Sequence, residues 1–165
     1  MLDLLRAWDL AQEDLLIFAP EDPLASAVEK LLARMEAGGG TPCGIVQDAN
    51  GRFLGTLSTH RALRAIGQAI QTVGAFEASP QVDTDRAVHA VCRMVGGHTV
   101  ADHMYTKSLP VPPSMPLHEI LRRFADSMGH FAVVVEAGKA LGLLELDDIF
   151  KTFAQEMLSD KPTPI

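Results

Sequence analysis

Residues 20–24, Pro-Glu-Asp-Pro-Leu, return as Pro113-Ser114-Met115-Pro116-Leu117, an offset of 93 residues (113 against 20). A chain that repeats half of itself is constrained to fold as two like units, so self-similarity outranks any single motif. The match continues on both sides of the proline pairs. Upstream, Ala7-Trp8-Asp9 stands at the same offset as Val100-Ala101-Asp102, each opening a short helical turn before an extended segment. Downstream, Val28, Leu31, Leu32 and Met35 recur at helical spacing, as do Ile120, Leu121, Phe124, Ala125 and Met128.

A β-rich stretch follows in each copy, residues 43–47 and 131–135, then a turn around Gly51 or Gly138, where a tight hairpin needs a positive φ. The closing strands span residues 54–58 and 141–145. Each copy ends in an amphipathic helix, 59–71 with Leu63, Ile66 and Ile70, and 147–158 with Ile149, Phe150, Phe153 and Met157. At the closing glycines, Gly55 and Gly142, the offset is 87 (142 against 55), so the first copy is longer by six residues. They fall at 36–42, where Gly38-Gly39-Gly40 reads as an enlarged loop. The order in each copy is short helix, strand, helix, strand, strand, helix. Between the copies, residues 73–97 carry Ser79-Pro80, an Asp83-Thr84-Asp85 cap and an apolar-periodic helix through Ala87, Val88, Val91 and Met94, ended by Gly96-Gly97. That insert reads as a helix covering core or a dimer interface, with a partner-facing role as the alternative.

The 165 residues suffice for one domain or two half-size repeats, and 47% hydrophobic residues with mean hydropathy +0.13 exclude a disordered chain. A formal charge of −7 repels a phosphate backbone and argues against nucleic acid and anionic lipid as partners. Cys43 and Cys92 lack CxxC spacing and read as small buried hydrophobes in a reducing compartment. The N-terminus has acidic residues interleaved and no basic region before an apolar run, unlike a signal peptide, and no apolar run reaches membrane-spanning length. The expectation is a cytoplasmic protein.

The ordered motifs resemble the cystathionine β-synthase (CBS) domain, whose copies come in pairs called Bateman modules. Asp102-His103-Met104, Pro113-x-x-Pro116-Leu117 and the Gly-hydrophobic-hydrophobic strand before each last helix carry the likeness. The resemblance implies an α/β (α+β) fold of two CBS-type βαββα repeats related by a pseudo-twofold, their small sheets packed together. The repeats would span residues 5–72 and 98–158, with 73–97 as a connecting helical insert.

The resemblance also implies a regulatory role without catalysis: sensing an adenine nucleotide such as AMP or ATP, or another adenosine-containing ligand, in the inter-repeat cleft and acting on a partner protein. The family signature there is Gly-h-h-Thr/Ser-x-x-Asp, with h hydrophobic; the carboxylate accepts from both ribose hydroxyls and the small hydroxyl residue donates to phosphate or ribose. The first copy, Gly55 through Arg61, keeps the hydroxyl as Ser58 but has Arg61 in place of the acid. The second, Gly142 through Asp148, keeps Asp148 but has Glu145 in place of the hydroxyl. Two anions about 4 Å apart at an effective dielectric near 20 repel by roughly 4 kcal/mol, which disfavours a polyphosphate beside Glu145. Ser58, His60, Arg61, Glu145 and Asp148 are therefore the candidate ligand-binding residues, Asp148 for ribose, His60 and Arg61 for phosphate. The alternative is a dimerising scaffold with degenerate clefts, and a homodimer is expected in either case.

Other constellations carry less. His89, His98 and His103 cluster in sequence near Asp102 but lack metal-ligand spacing, so no metal is expected, a metal-responsive module being the third reading. Ser58 with His60 lacks an orienting acid for nucleophilic catalysis, and residues 36–40 lack the Gly-Lys-Ser/Thr of a phosphate loop. Leu2, Leu4, Leu5 and Trp8 are expected to pack on the repeats or a second copy, and the two prolines of 160–165 to end the last helix.

Overall fold

The computed structural model describes residues 4–38, 42–73, 84–126 and 129–159. Leu2, Gly39, Gly40, Ser79-Pro80, Asp83, Met128 and the tail 160–165, all named above, lie outside them. The chain divides into two compact units. A central unit comprises Leu16–Lys107; a second, the terminal unit, joins Met1–Leu15 to Ser108–Ile165.

In the central unit, β1 (Leu16–Phe18) pairs parallel with β2 (Cys43–Gln47), which pairs antiparallel with β3 (Phe53–Ser58). The parallel pair requires a crossover, supplied by α2 (Leu24–Glu36). Pro23, at the N-cap with φ −60°, is extended and cannot join the helix ladder, so α2 starts directly after it. Gly51 has φ +77° in the β2–β3 turn, as its position requires. The helix α3 (Thr59–Val73) follows, then α4 (Thr84–Gly96) and α5 (Val100–His103). Phe18, Leu24, Leu31, Val46, Leu57, Val91, Val95 and Val100 belong to one buried core, so α4 and α5 both close this unit.

The terminal unit repeats the pattern with α1 (Ala7–Leu10), β4 (Leu109–Val111), α6 (Leu117–Ala125), β5 (Phe131–Glu136), β6 (Lys139–Glu145) and α7 (Leu146–Met157). β4 and β5 are parallel, β5 and β6 antiparallel. Its core holds Ala7, Val111, Met115, Leu117, Ile120, Val134, Leu144 and Ile149. The β5–β6 turn uses Ala137 (φ +52°) beside Gly138 (φ +78°), a two-residue left-handed turn.

Each sheet carries one irregularity that periodicity did not reveal. The register shifts between Val46 and Gln47, leaving Leu54 as an extra residue in β3, and between Val134 and Val135, leaving Leu141 extra in β6. A bulge of this kind sharpens the local twist just before the closing glycine.

The short helices are exchanged. α1 precedes the first copy's strands yet belongs to the terminal unit, with Ala7 fully buried; α5 precedes the second copy's strands yet belongs to the central unit, with Val100 fully buried. Two expectations need correcting. Cys92 on α4 is exposed, because the helix turns Val91 and Val95 inward instead; Cys43 is buried, and the two form no disulfide. Leu5 packs on the terminal core, but Leu4 is 77% and Trp8 42% exposed, since Ala7 is the residue that α1 buries there, so for these two the expected packing on their own repeats does not hold and contact with a second copy remains the alternative.

Candidate functional site

Both closing glycines sit under a crossing backbone. After α5 the chain runs antiparallel to β3, Thr56 N–H donating to the Tyr105 carbonyl at 2.9 Å and Tyr105 N–H to the Thr56 carbonyl at 2.7 Å. After α1, Gln12 N–H donates to the Leu143 carbonyl at 2.9 Å and Leu143 N–H to the Gln12 carbonyl at 3.0 Å. A Cβ on Gly55 would stand 2.5 Å from the Tyr105 carbonyl oxygen, and one on Gly142 2.8 Å from Ala11 Cβ. Glycine therefore lets the exchanged segment lie against the closing strand, and delivers Tyr105 or Gln12 to the start of the last helix.

In the central unit, buried Ser58 ends β3 and its Oγ accepts from Arg61 N–H at 3.3 Å, capping α3. The Arg61 side chain reaches the exchanged segment: Nε donates to the His103 carbonyl at 3.1 Å and Nη2 to the Met104 carbonyl at 3.4 Å. Its guanidinium lies 5.5 Å from the Tyr105 ring centroid, within cation–π range. Arg61 thus caps the C-terminal carbonyls of α5, a structural task absent from the sequence reading. His60 is exposed on the first turn.

In the terminal unit, the position of Ser58 is taken by Glu145, which makes no side-chain cap to α7. Asp148, at the position of Arg61, is half-buried in the first turn. Its Oδ2 accepts from Gln12 Nε2 at 3.3 Å and its Oδ1 lies 3.4 Å from Lys151 Nζ. Burial first, and then the neighbouring Asp148 charge, push the Glu145 carboxyl above its ordinary value, while a hydrogen bond from Gln12 opposes this. One amide thus ties two carboxylates together, with Lys151 as the nearby cation.

The structure therefore brings together Glu145 and Asp148 in one unit and Ser58, His60 and Arg61 in the other. Gln12, Tyr105 and Lys151 complete these clusters and were missed. The exchange explains the omission: Gln12 and Tyr105 stand at equal places in the repeat, offset by 93, but each serves the helix of the other copy. The sequence cluster of histidines is partly realised, His98 bonding His103 while His89 lies exposed on α4. Among the described residues no three His, Cys, Asp or Glu side chains converge as a metal site.

Comparison with known proteins agrees with this architecture. Residues 100–155 match the family model of the CBS domain. A search of curated proteins finds no match. Among solved structures, a CBS domain-containing protein of unknown function from Kribbella flavida is 16% identical, with TM-score 0.66, covering 91% of this chain and 98% of that one. CBSX2 in complex with AMP is 19% identical, with TM-score 0.63 and coverage of 92% and 98%. The cytosolic domain of the Mg2+ channel MgtE in complex with ATP is 19% identical, with TM-score 0.62, covering 89% of this chain and 48% of that one. The repeated sequence, the two three-stranded sheets and these likenesses identify residues 100–155 as a CBS domain within a chain that has the fold of CBS-domain proteins.

Proposed function

We propose that this chain is a non-catalytic regulatory protein that binds an adenosine-containing ligand at the β6–α7 end of the terminal unit and acts on a partner protein. The observation that carries the reading is Asp148: a half-buried carboxylate on the first turn of a helix, oriented by Gln12 and Lys151, at the position where the family signature has its ribose-binding acid. A carboxylate held in this way can accept from both hydroxyls of a ribose. The AMP and ATP bound in CBSX2 and MgtE support the ligand class.

Glu145 sets the finer preference. A carboxylate beside the ribose site repels a polyphosphate and favours a neutral or cationic substituent on the adenosine. In the central unit Ser58, His60 and Arg61 form the anion-binding candidate, with Arg61 Nε and Nη2 already bonded to carbonyls. Calorimetric titration of the full chain with S-adenosylmethionine, AMP, ADP and ATP tests the reading. S-adenosylmethionine or AMP binds, ATP binds at least tenfold more weakly, and Asp148→Asn weakens binding by about tenfold or more. Flat heats with all four ligands overturn it.

A second reading, a dimerising scaffold, is favoured by one specific observation. Leu63 on α3 and Phe150 on α7 occupy equal places in the repeat, offset by 87, and are 68% and 67% exposed. An apolar side chain kept outward at the same place in both copies suits a self-complementary contact with a second copy. Light scattering of the native chain and of Leu63→Glu with Phe150→Glu reads this directly: a dimer that becomes a monomer supports it, a native monomer contradicts it.

A further inference from the structure

His98 and His103 meet in the central unit at the joint between α4 and α5. Nδ1 of His98 lies 2.8 Å from Nε2 of His103, with ring centroids 5.1 Å apart and ring planes inclined by 20°. Nitrogens that close with centroids that far apart place the rings edge to edge in nearly one plane, along an N–H···N axis. Such a bond needs one proton between the facing nitrogens, one ring donating and the other accepting. A first added proton can go to an outward-facing nitrogen and preserve the bond as imidazolium to imidazole. A second puts two N–H groups and two positive charges head to head, and the bond is lost.

The pair lies where α2, α3, α4 and α5 converge around Leu24, Ala65, Val91, Val95 and Val100. The His98 carbonyl accepts from Leu24 N–H at 2.7 Å, at the start of α2, and the His103 carbonyl accepts from Arg61 Nε on α3. Immediately beyond His103, Met104 N–H donates to the Val100 carbonyl and Tyr105 exchanges its two bonds with Thr56. We propose that the His98–His103 pair is a proton-operated clasp that holds α5 and the following Met104-Tyr105 segment against the central unit near neutral pH and releases them in acid. This stands apart from the ligand reading.

The groups around the clasp set its direction. His103 faces His98 from the end of α4, Arg61 from α3 and Asp102 from its own helix. Burial first, then the His98 charge, hold His103 below the ordinary 6.5; Asp102 opposes this and Arg61 adds to it. Because the folded state binds this proton more weakly than the unfolded one, the contribution is complete above the ordinary value. It drains away as pH falls towards the folded value.

Two measurements on the full chain test the clasp between about pH 8 and pH 5. Long-range nitrogen–proton spectra of the imidazoles should show His103 titrating below 6.5. Amide exchange at Met104 and Tyr105, corrected for intrinsic rates and compared with β2, should accelerate about tenfold in acid. His98→Ala should show fast exchange at both ends of the range, so that the acid effect vanishes. A His103 midpoint at or above 6.5, or the same exchange profile in native and His98→Ala chains, would overturn the proposal.

Discussion

A methyl group at position 44 would overlap Cε2 of the Phe18 ring, so this glycine is fixed by one neighbour. The second copy solves the same contact differently. Gly44 faces Leu16 across the parallel pair as Ala132 faces Leu109, and Val111 stands where Phe18 stands. At the equivalent places the second copy carries the larger Ala132 and the smaller Val111. Gly44→Ala should therefore cost about 1–3 kcal/mol by overpacking. Phe18→Val should relieve most of that, the double variant losing less than the two singles summed. Thermal melts of all four chains check this; strict additivity would contradict it.

The fold disfavours the charged form of Glu145. Its folded value lies above the unfolded one, so the folded state binds the proton more tightly. Stability is thus lost as pH rises through that window, and the penalty is complete above it. Glu145→Gln should raise the melting temperature near pH 7.5 and give no gain below the ordinary carboxyl value of 4.5. A gain independent of pH would contradict this origin. Sequence alone marked Glu145 and Asp148 as adjacent acids, but not Gln12, because a residue 136 positions from Asp148 leaves no local pattern.

Among the elements, those with strong local signals were legible. The β2 strand follows its β-branched run from Cys43 to Gln47, and the proline-started helices begin where proline ends the extended segment. The bulges at Leu54 and Leu141 were not, since an extra residue in a short strand leaves no mark in an apolar run. Nor was the exchange of α1 and α5, because a four-residue helix carries too little pattern to say which sheet it covers. That exchange makes the closing glycines unequal in a testable way. At Gly55 a Cβ meets a backbone carbonyl at 2.5 Å, whereas at Gly142 its nearest neighbour is the Ala11 methyl group at 2.8 Å. An alanine Cβ moves only with its backbone, so both contacts are stiff and the shorter distance decides: Gly55→Ala should destabilise more than Gly142→Ala, both within about 1–3 kcal/mol. Urea melts rank the two; the reverse order would show that the crossing segment does not set the glycine.

Across the whole molecule, the two cores are closed differently: residues 4–15 join a unit otherwise built from residues after 107, whereas α5 closes the continuous central unit from within it. The helix α4 contributes Val91 and Val95 to the central core. The two helix starts differ in charge, Arg61 with Ser58 against Asp148 with Glu145, so the units offer different chemistry on one scaffold. No helix among the described residues is long and apolar enough to cross a membrane.

The most direct test of this account is amide chemical-shift mapping of the full chain with S-adenosylmethionine and AMP. Saturable shifts at Gln12 and across residues 143–151 are expected with at least one of them, lost in Asp148→Asn. Binding that leaves those amides unmoved, or no shift with either ligand, would contradict it.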